Sequence, residues 1–200
     1  MSTITANMVS ELRGRTGAGI MDCKNALAET GGDVDTAIDI LRKTGAAKAA
    51  KKAGRTTSQG LVHSYIHDGG KIGVLIEVAC ETDFVARNED FQGLVHDLAM
   101  HVAAAAPESV SRDEMPQDLL DRERKFVTEQ AQESGKPEAV VEKMVEGRMN
   151  KFFAESVLLE QEFVKDPDKK VEDLVKEAIV RIGENIQVRR FVRYQLGDDA

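Results

Sequence analysis

Residues 61–80 constrain this chain more than any other stretch. "LVHSYIH" alternates apolar and polar residues, "DGG" supplies a turn, and "KIGVLIEVAC" is almost continuously apolar. Alternation at period two, a glycine turn and a second apolar run predict a β-hairpin whose second strand is the more buried. On both sides of it the hydrophobic period is that of a helix. The chain therefore reads as α+β.

Ahead of the hairpin, residues 4–43 carry three short helical stripes. Met8, Val9 and Leu12 form the first, which "TGAG" interrupts. Ile20, Met21, Cys23, Ala26 and Leu27 form the second, ended by Gly31 and Gly32. Asp33 caps the third, with Val34, Ala37, Ile38 and Leu41 on its apolar face, and Gly45 is expected to stop it. "AAKAAKKAGR", residues 46–55, reads as a solvated, helix-prone linker.

Beyond the hairpin, Phe91, Leu94, Val95, Leu98 and Val102 share a helical face as far as Pro107. Residues 117–134 and 138–153 predict two helices joined through "SGKP", a helical hairpin. "KDPDKK" breaks the chain, 171–182 predicts a short helix, and "IQVRRFVRYQL" predicts a strand that joins the first two. The expected architecture is a three-helix domain with its basic linker on 1–55, then an α+β core on 56–200. That core should hold a three-stranded antiparallel sheet, covering helices and a projecting helical hairpin.

Charge divides along the same line. Residues 1–60 hold nine Lys or Arg against six Asp or Glu, while the whole chain carries −8. A basic head on an acidic body suggests two functional parts, and the acidic total argues against a general nucleic-acid binder. No stretch has the apolar length of a membrane span, and the first residues lack a signal-peptide pattern. Two cysteines, Cys23 and Cys80, make no disulfide framework, so a cytosolic protein is expected.

Chemistry-bearing motifs are scarce. "GRTGAG" lacks the Gly-Lys-Ser/Thr of a phosphate loop and has no strand before it, so it reads as a tight turn between helices. His63 and His67 share a strand face, whereas His96 and His101 lie on different faces of the following helix. A zinc site needs convergent ligands, usually with a cysteine pair, so no metal site is expected. Cys80 reads as a buried small hydrophobe. No catalytic residues and no bound cofactor are expected.

"CETDFVARNEDF", residues 80–91, is the unusual segment. Phe84 stands where the chain should turn, with Thr82 and Asp83 before it and Arg87, Asn88, Glu89 and Asp90 after. Two readings are open on spacing alone. The ring tucks under the sheet edge, as most large aromatics do, or it is an apolar anchor in a polar frame, the composition of an interface hot spot.

"ELRGRTGAGIMDCKNAL", "CETDFVARNEDF", "HVAAAAP", "EGRMNKFFAE", "FVKDP" and "IGENIQVRRFVRYQLG" occur in order along almost the whole chain. Together they resemble the elongation factor Ts family, which exchanges guanine nucleotide on elongation factor Tu during translation elongation. The resemblance implies that the head is a ubiquitin-associated-like domain docking on a helix of the partner's GTP-binding domain, with Arg13, Ile20 and Met21 at the contact. It implies that Thr82, Asp83, Phe84 and Val85 form an intrusion loop. Phe84 would insert between two partner helices, Asp83 would help to hold the loop, and the partner's magnesium would be dislodged so that GDP leaves. Longer members of the family duplicate the core. This chain passes directly from "EDFQGLVHDL" to "AMHVAAAAP" and resembles the short form, in which two chains together supply the missing copy. A homodimer through the core is therefore expected. The alternative function is a ubiquitin-associated-like adaptor that binds translation machinery without exchange activity.

Overall fold

The computed structural model describes residues 4–198. It begins with three helices, α1 (Ala6–Thr16), α2 (Ile20–Glu29) and α3 (Val34–Ala50). Thr5 caps α1, its side-chain oxygen accepting the Met8 N–H at 3.3 Å. Gly17 ends that helix at φ 65°, where its N–H reaches the Arg13 carbonyl at 2.7 Å. A side chain at that φ would be strained, which accounts for glycine there. Asp33 caps α3 by accepting the Thr36 N–H at 2.7 Å. That bond to the Thr36 backbone holds the Asp33 carboxyl below its ordinary range.

Leu12, Ala18, Cys23, Ala26, Leu27, Ala37 and Leu41 form the core of this bundle, with Met8, Val9, Val34 and Ile38 packed around it. The α2 stripe is narrower than its sequence suggests. Cys23, Ala26 and Leu27 are buried, but Ile20 and Met21 at its start are exposed.

Two boundaries differ from expectation. Gly45 does not stop α3, which continues to Ala50 and takes in half of the basic linker. Alanine has the highest helix propensity and one glycine costs only about 1 kcal/mol, so the alanines carry the helix past it. Ala49 is buried, and Gly45 lies against the Val180 side chain.

The chain continues as β1 (Gln59–Ile66), β2 (Ile72–Cys80), α4 (Asp83–Ala86), α5 (Glu89–Ala105), α6 (Gln117–Gln132) and α7 (Glu138–Ser156). The second boundary follows: "KDPDKK" does not merely break the chain. β3 (Glu162–Phe163) and β4 (Asp166–Lys170) pair antiparallel through an irregular register, so Pro167 stands in a short two-stranded ladder, where an edge tolerates its missing N–H. α8 (Val171–Ile182) and β5 (Ile186–Gln195) complete the chain.

The main sheet has the order β1-β2-β5 and is antiparallel, so the fold is α+β as expected. β2 is central and the most buried strand, which its apolar run requires. Glu77 and Arg190 pair at 2.7 Å, and the Leu196 N–H reaches the Lys71 carbonyl, fixing β5 against β2. α6 and α7 pack against each other as the helical hairpin.

Two compact units make up the described chain. One takes in the chain through Leu61, Ala79–Leu94 and Asp173–Gln187. The other takes in Val62–Val78, Val95–Glu172 and the chain from Val188 on. In the second unit, Arg193 donates to the Ala103 carbonyl and His63 meets His96, so α5 lies on the sheet face that carries them. Val62, Ile66, Leu75, Val192, Tyr194 and Leu196 are exposed. Alternation from the Glu77–Arg190 pair and the Ile66–Gly73 contact puts Val62, Ile66, Leu75, Val192 and Tyr194 on the opposite face.

Candidate partner-binding site

Cys80 ends β2, and the next residues turn at once into α4, a single helical turn. Thr82 is its N-cap: the hydroxyl oxygen accepts the Val85 N–H at 3.4 Å while its proton goes to Glu184 Oε1 at 2.7 Å. The buried Cys80 thiol donates to the Thr82 carbonyl at 3.2 Å, and burial pushes its pKa up, reinforced by the Glu184 charge. On the far side the Asn88 N–H returns to the Val85 carbonyl at 2.9 Å. Asn88 Oδ1 then accepts the Asp90 N–H at 2.7 Å and opens α5. Asp83 pairs with Arg87 at 3.0 Å across the turn.

Within this frame the apolar residues are sorted against size. Phe84 is 82% exposed, and Ala86 is 7% exposed. The ring is not tucked under the sheet edge. An exposed phenylalanine forgoes roughly 1.5–3 kcal/mol of burial, a cost that folding alone would remove.

The turn is held from a distant part of the sequence. Glu184 Oε2 accepts the N–H groups of Glu81 at 3.1 Å and Thr82 at 3.0 Å. In return Glu81 Oε1 accepts the Asn185 N–H at 2.6 Å and faces Arg55 at 3.5 Å. Asn185 is 1% exposed, and its side-chain amide donates to the carbonyls of Ala53 at 3.2 Å and Arg55 at 2.9 Å. Lys52 donates to the Gly183 carbonyl at 2.6 Å. All of these residues belong to the first compact unit.

That unit also contains the three head residues singled out above. Arg13 is exposed in the last turn of α1, and Ile20 and Met21 open α2 at 56% and 62% exposure. Two large apolar side chains in water beside a glycine-bounded turn are the second feature of this unit that folding does not explain.

The histidines take the faces that their spacing suggests, His63 and His67 together on one and His96 and His101 on different ones. His63 Nε2 lies 3.3 Å from His96 Nδ1, and Tyr65 O–H meets His67 Nδ1 at 3.1 Å. Burial, then the His96 charge, lowers the His63 pKa. His101 is buried between Gln161 Oε1 at 2.9 Å and the Val164 N–H at 3.3 Å. Because Nδ1 accepts from Val164, Nε2 carries the proton and donates to Gln161.

Sequence reasoning missed Glu184, Asn185 and Arg55. A polar residue directly before an apolar strand is a weak hint of a buried hydrogen-bonding role.

The profile of the family described as "Elongation factor TS" matches residues 21–198. A curated relative from Syntrophomonas wolfei named "Elongation factor Ts" is 61% identical over 98% of this chain and 91% of its own length. One of the same name from Geobacter metallireducens is 61% identical with the same coverage of both chains. A third, from Desulforamulus reducens, is 59% identical over 99% of this chain and 91% of its own.

Proposed function

The chain belongs to the elongation factor Ts family, and on that premise we propose that it is a translation elongation factor that exchanges guanine nucleotide on elongation factor Tu. Phe84 supports the reading best. A large apolar ring stands in water on a braced turn, as an anchor held for a partner would.

The head docks first, with Arg13, Ile20 and Met21 on a helix of the partner's GTP-binding domain. The Thr82–Val85 turn then carries Phe84 between two partner helices, and Asp83 helps to hold it there. A magnesium ion bridging the phosphates to the protein supplies much of the nucleotide's affinity. A ring wedged beside that ion favours a partner conformation that binds nucleotide poorly, and GDP leaves. By reciprocity, returning nucleotide weakens the grip of the exchange factor to the same degree. No bond is made or broken. The chain binds no cofactor of its own and acts on GDP and magnesium held by its partner.

The same reading divides the work between a docking head on 1–55 and an exchanging core on 56–200. It makes the protein a cytoplasmic homodimer through its core, with neither a direct nucleic-acid partner nor a membrane. Release of labelled GDP from elongation factor Tu, followed with and without this protein, tests the proposal. Acceleration supports it. Stable binding without acceleration would make the protein an adaptor instead.

A further inference from the structure

We propose that Glu184 is the positioning residue of the Phe84 turn, an inference that rests on the exchange reading above. α4 has four residues, far below the length at which a helix is stable in water. Left to itself, the turn would sample many conformations, and each encounter would have to order it before Phe84 could insert. One carboxylate removes that freedom. Glu184 takes the N–H groups of Glu81 and Thr82 and the Thr82 hydroxyl, and that hydroxyl in turn receives the Val85 N–H. The grip thus extends on both sides of Phe84.

Its neighbours give Glu184 something firm to hold from. Gly183 accepts Lys52, and Asn185 binds the carbonyls of Ala53 and Arg55 and donates its own N–H to Glu81. Gly183 thus bonds to the segment leaving the head, Glu184 to the start of the turn, and Asn185 to both. Residues 183–185 form a strut between the two parts of the chain that meet the partner. A rigid strut lets head docking present Phe84 already oriented, which raises the effective concentration of the ring at its target.

The test is a series at one position. Glu184→Gln keeps an oxygen for the two N–H groups and an amide that can donate to the Thr82 hydroxyl. Glu184→Asp falls one methylene short, and Glu184→Ala removes the grip. Hydrogen exchange on the free protein reads the turn directly: the Thr82 and Val85 amides should exchange faster in the Ala and Asp variants and as in wild type in Gln. At saturating concentration, the Ala and Asp variants should release GDP from elongation factor Tu about tenfold more slowly or worse, with Gln near wild type. Glu184→Ala combined with Phe84→Ala should be no slower than Phe84→Ala alone.

Unchanged amide protection in Glu184→Ala would overturn the proposal. So would a Gln variant as impaired as Ala, which would mean that charge matters rather than position. Additive losses in the double variant would show that Glu184 does not act through Phe84. If Phe84→Ala alone leaves exchange untouched, the exchange reading fails. The amide measurement then still decides whether Glu184 holds the turn.

Discussion

Phe84 and Ala86 stand two positions apart on one helical turn, and the larger of them faces water while the smaller is buried. This inversion makes a clean prediction. Phe84→Ala should leave the unfolding free energy within about 0.5 kcal/mol of wild type, as at other surface sites. Loss of a hot-spot contact worth about 2 kcal/mol should slow GDP release from elongation factor Tu about 30-fold. Chemical denaturation and stopped-flow nucleotide release measure the two. A destabilisation of about 3–5 kcal/mol, typical of a core phenylalanine, would reinstate the buried-ring reading.

Ile20 and Met21 should behave alike in a different assay. Ile20→Ala and Met21→Ala each remove exposed apolar surface, so melting should be unchanged. Affinity for elongation factor Tu–GDP should fall about tenfold, or about 1.4 kcal/mol. Titration calorimetry with each variant gives the answer, and wild-type affinity in both would remove these residues from the docking surface.

His101 predicts a pH dependence of stability. Burial lowers its pKa below the ordinary 6.5, only partly offset by the bond to Gln161. Between the folded value and 6.5 the unfolded chain binds a proton that the folded chain refuses. The stabilisation is therefore complete above pH 6.5 and is lost as the pH falls from there to the folded value, at no more than about 1.4 kcal/mol per pH unit. His63 acts in the same direction. Thermal melts from pH 8 to 5.5 should decline less steeply in His101→Gln than in wild type, and parallel curves would contradict this account.

Gly45→Ala should stabilise the head by about 0.5–1 kcal/mol, because the residue is helical and alanine both propagates the helix and restricts the unfolded chain. The added methyl carbon would sit 3.6 Å from Val180 Cγ2, an ordinary contact distance. A lowered unfolding midpoint would show that the helices need the closer approach that glycine allows.

The proposed homodimer predicts a mass twice 21.9 kDa in light scattering at micromolar concentration. Val62, Ile66, Leu75, Val192 and Tyr194 offer the apolar face that a two-fold contact would bury. Val192→Asp should convert the protein to a monomer. A wild-type mass near that of one chain would discard the dimer.

Local periodicity carried most of the fold. The hairpin, the helical hairpin and the last strand were legible because apolar spacing alone distinguishes them. Gly45 misled because a single glycine reads as a stop when the alanines after it are ignored. Pro167 misled because proline signals a break, whereas a two-residue ladder edge accommodates it. The site was half legible. Phe84 announced itself by its polar neighbours, but spacing could not choose between burial and exposure. Glu184 was invisible: it lies 102 residues from Thr82, and nothing local records a contact made only by the folded chain.

That separation has a consequence for how the protein is made. β2 waits for β5, and the Phe84 turn waits for Glu184, until the ribosome has delivered about a hundred further residues. At about ten residues per second the delay is roughly ten seconds, far longer than a hairpin takes to close. During that interval β2 lacks its second neighbour and the ring rides on an unbraced turn. Ribosome-bound chains stopped before residue 184 should therefore display Phe84 without holding it, and nascent protein should gain its partner-ready shape in a single late step.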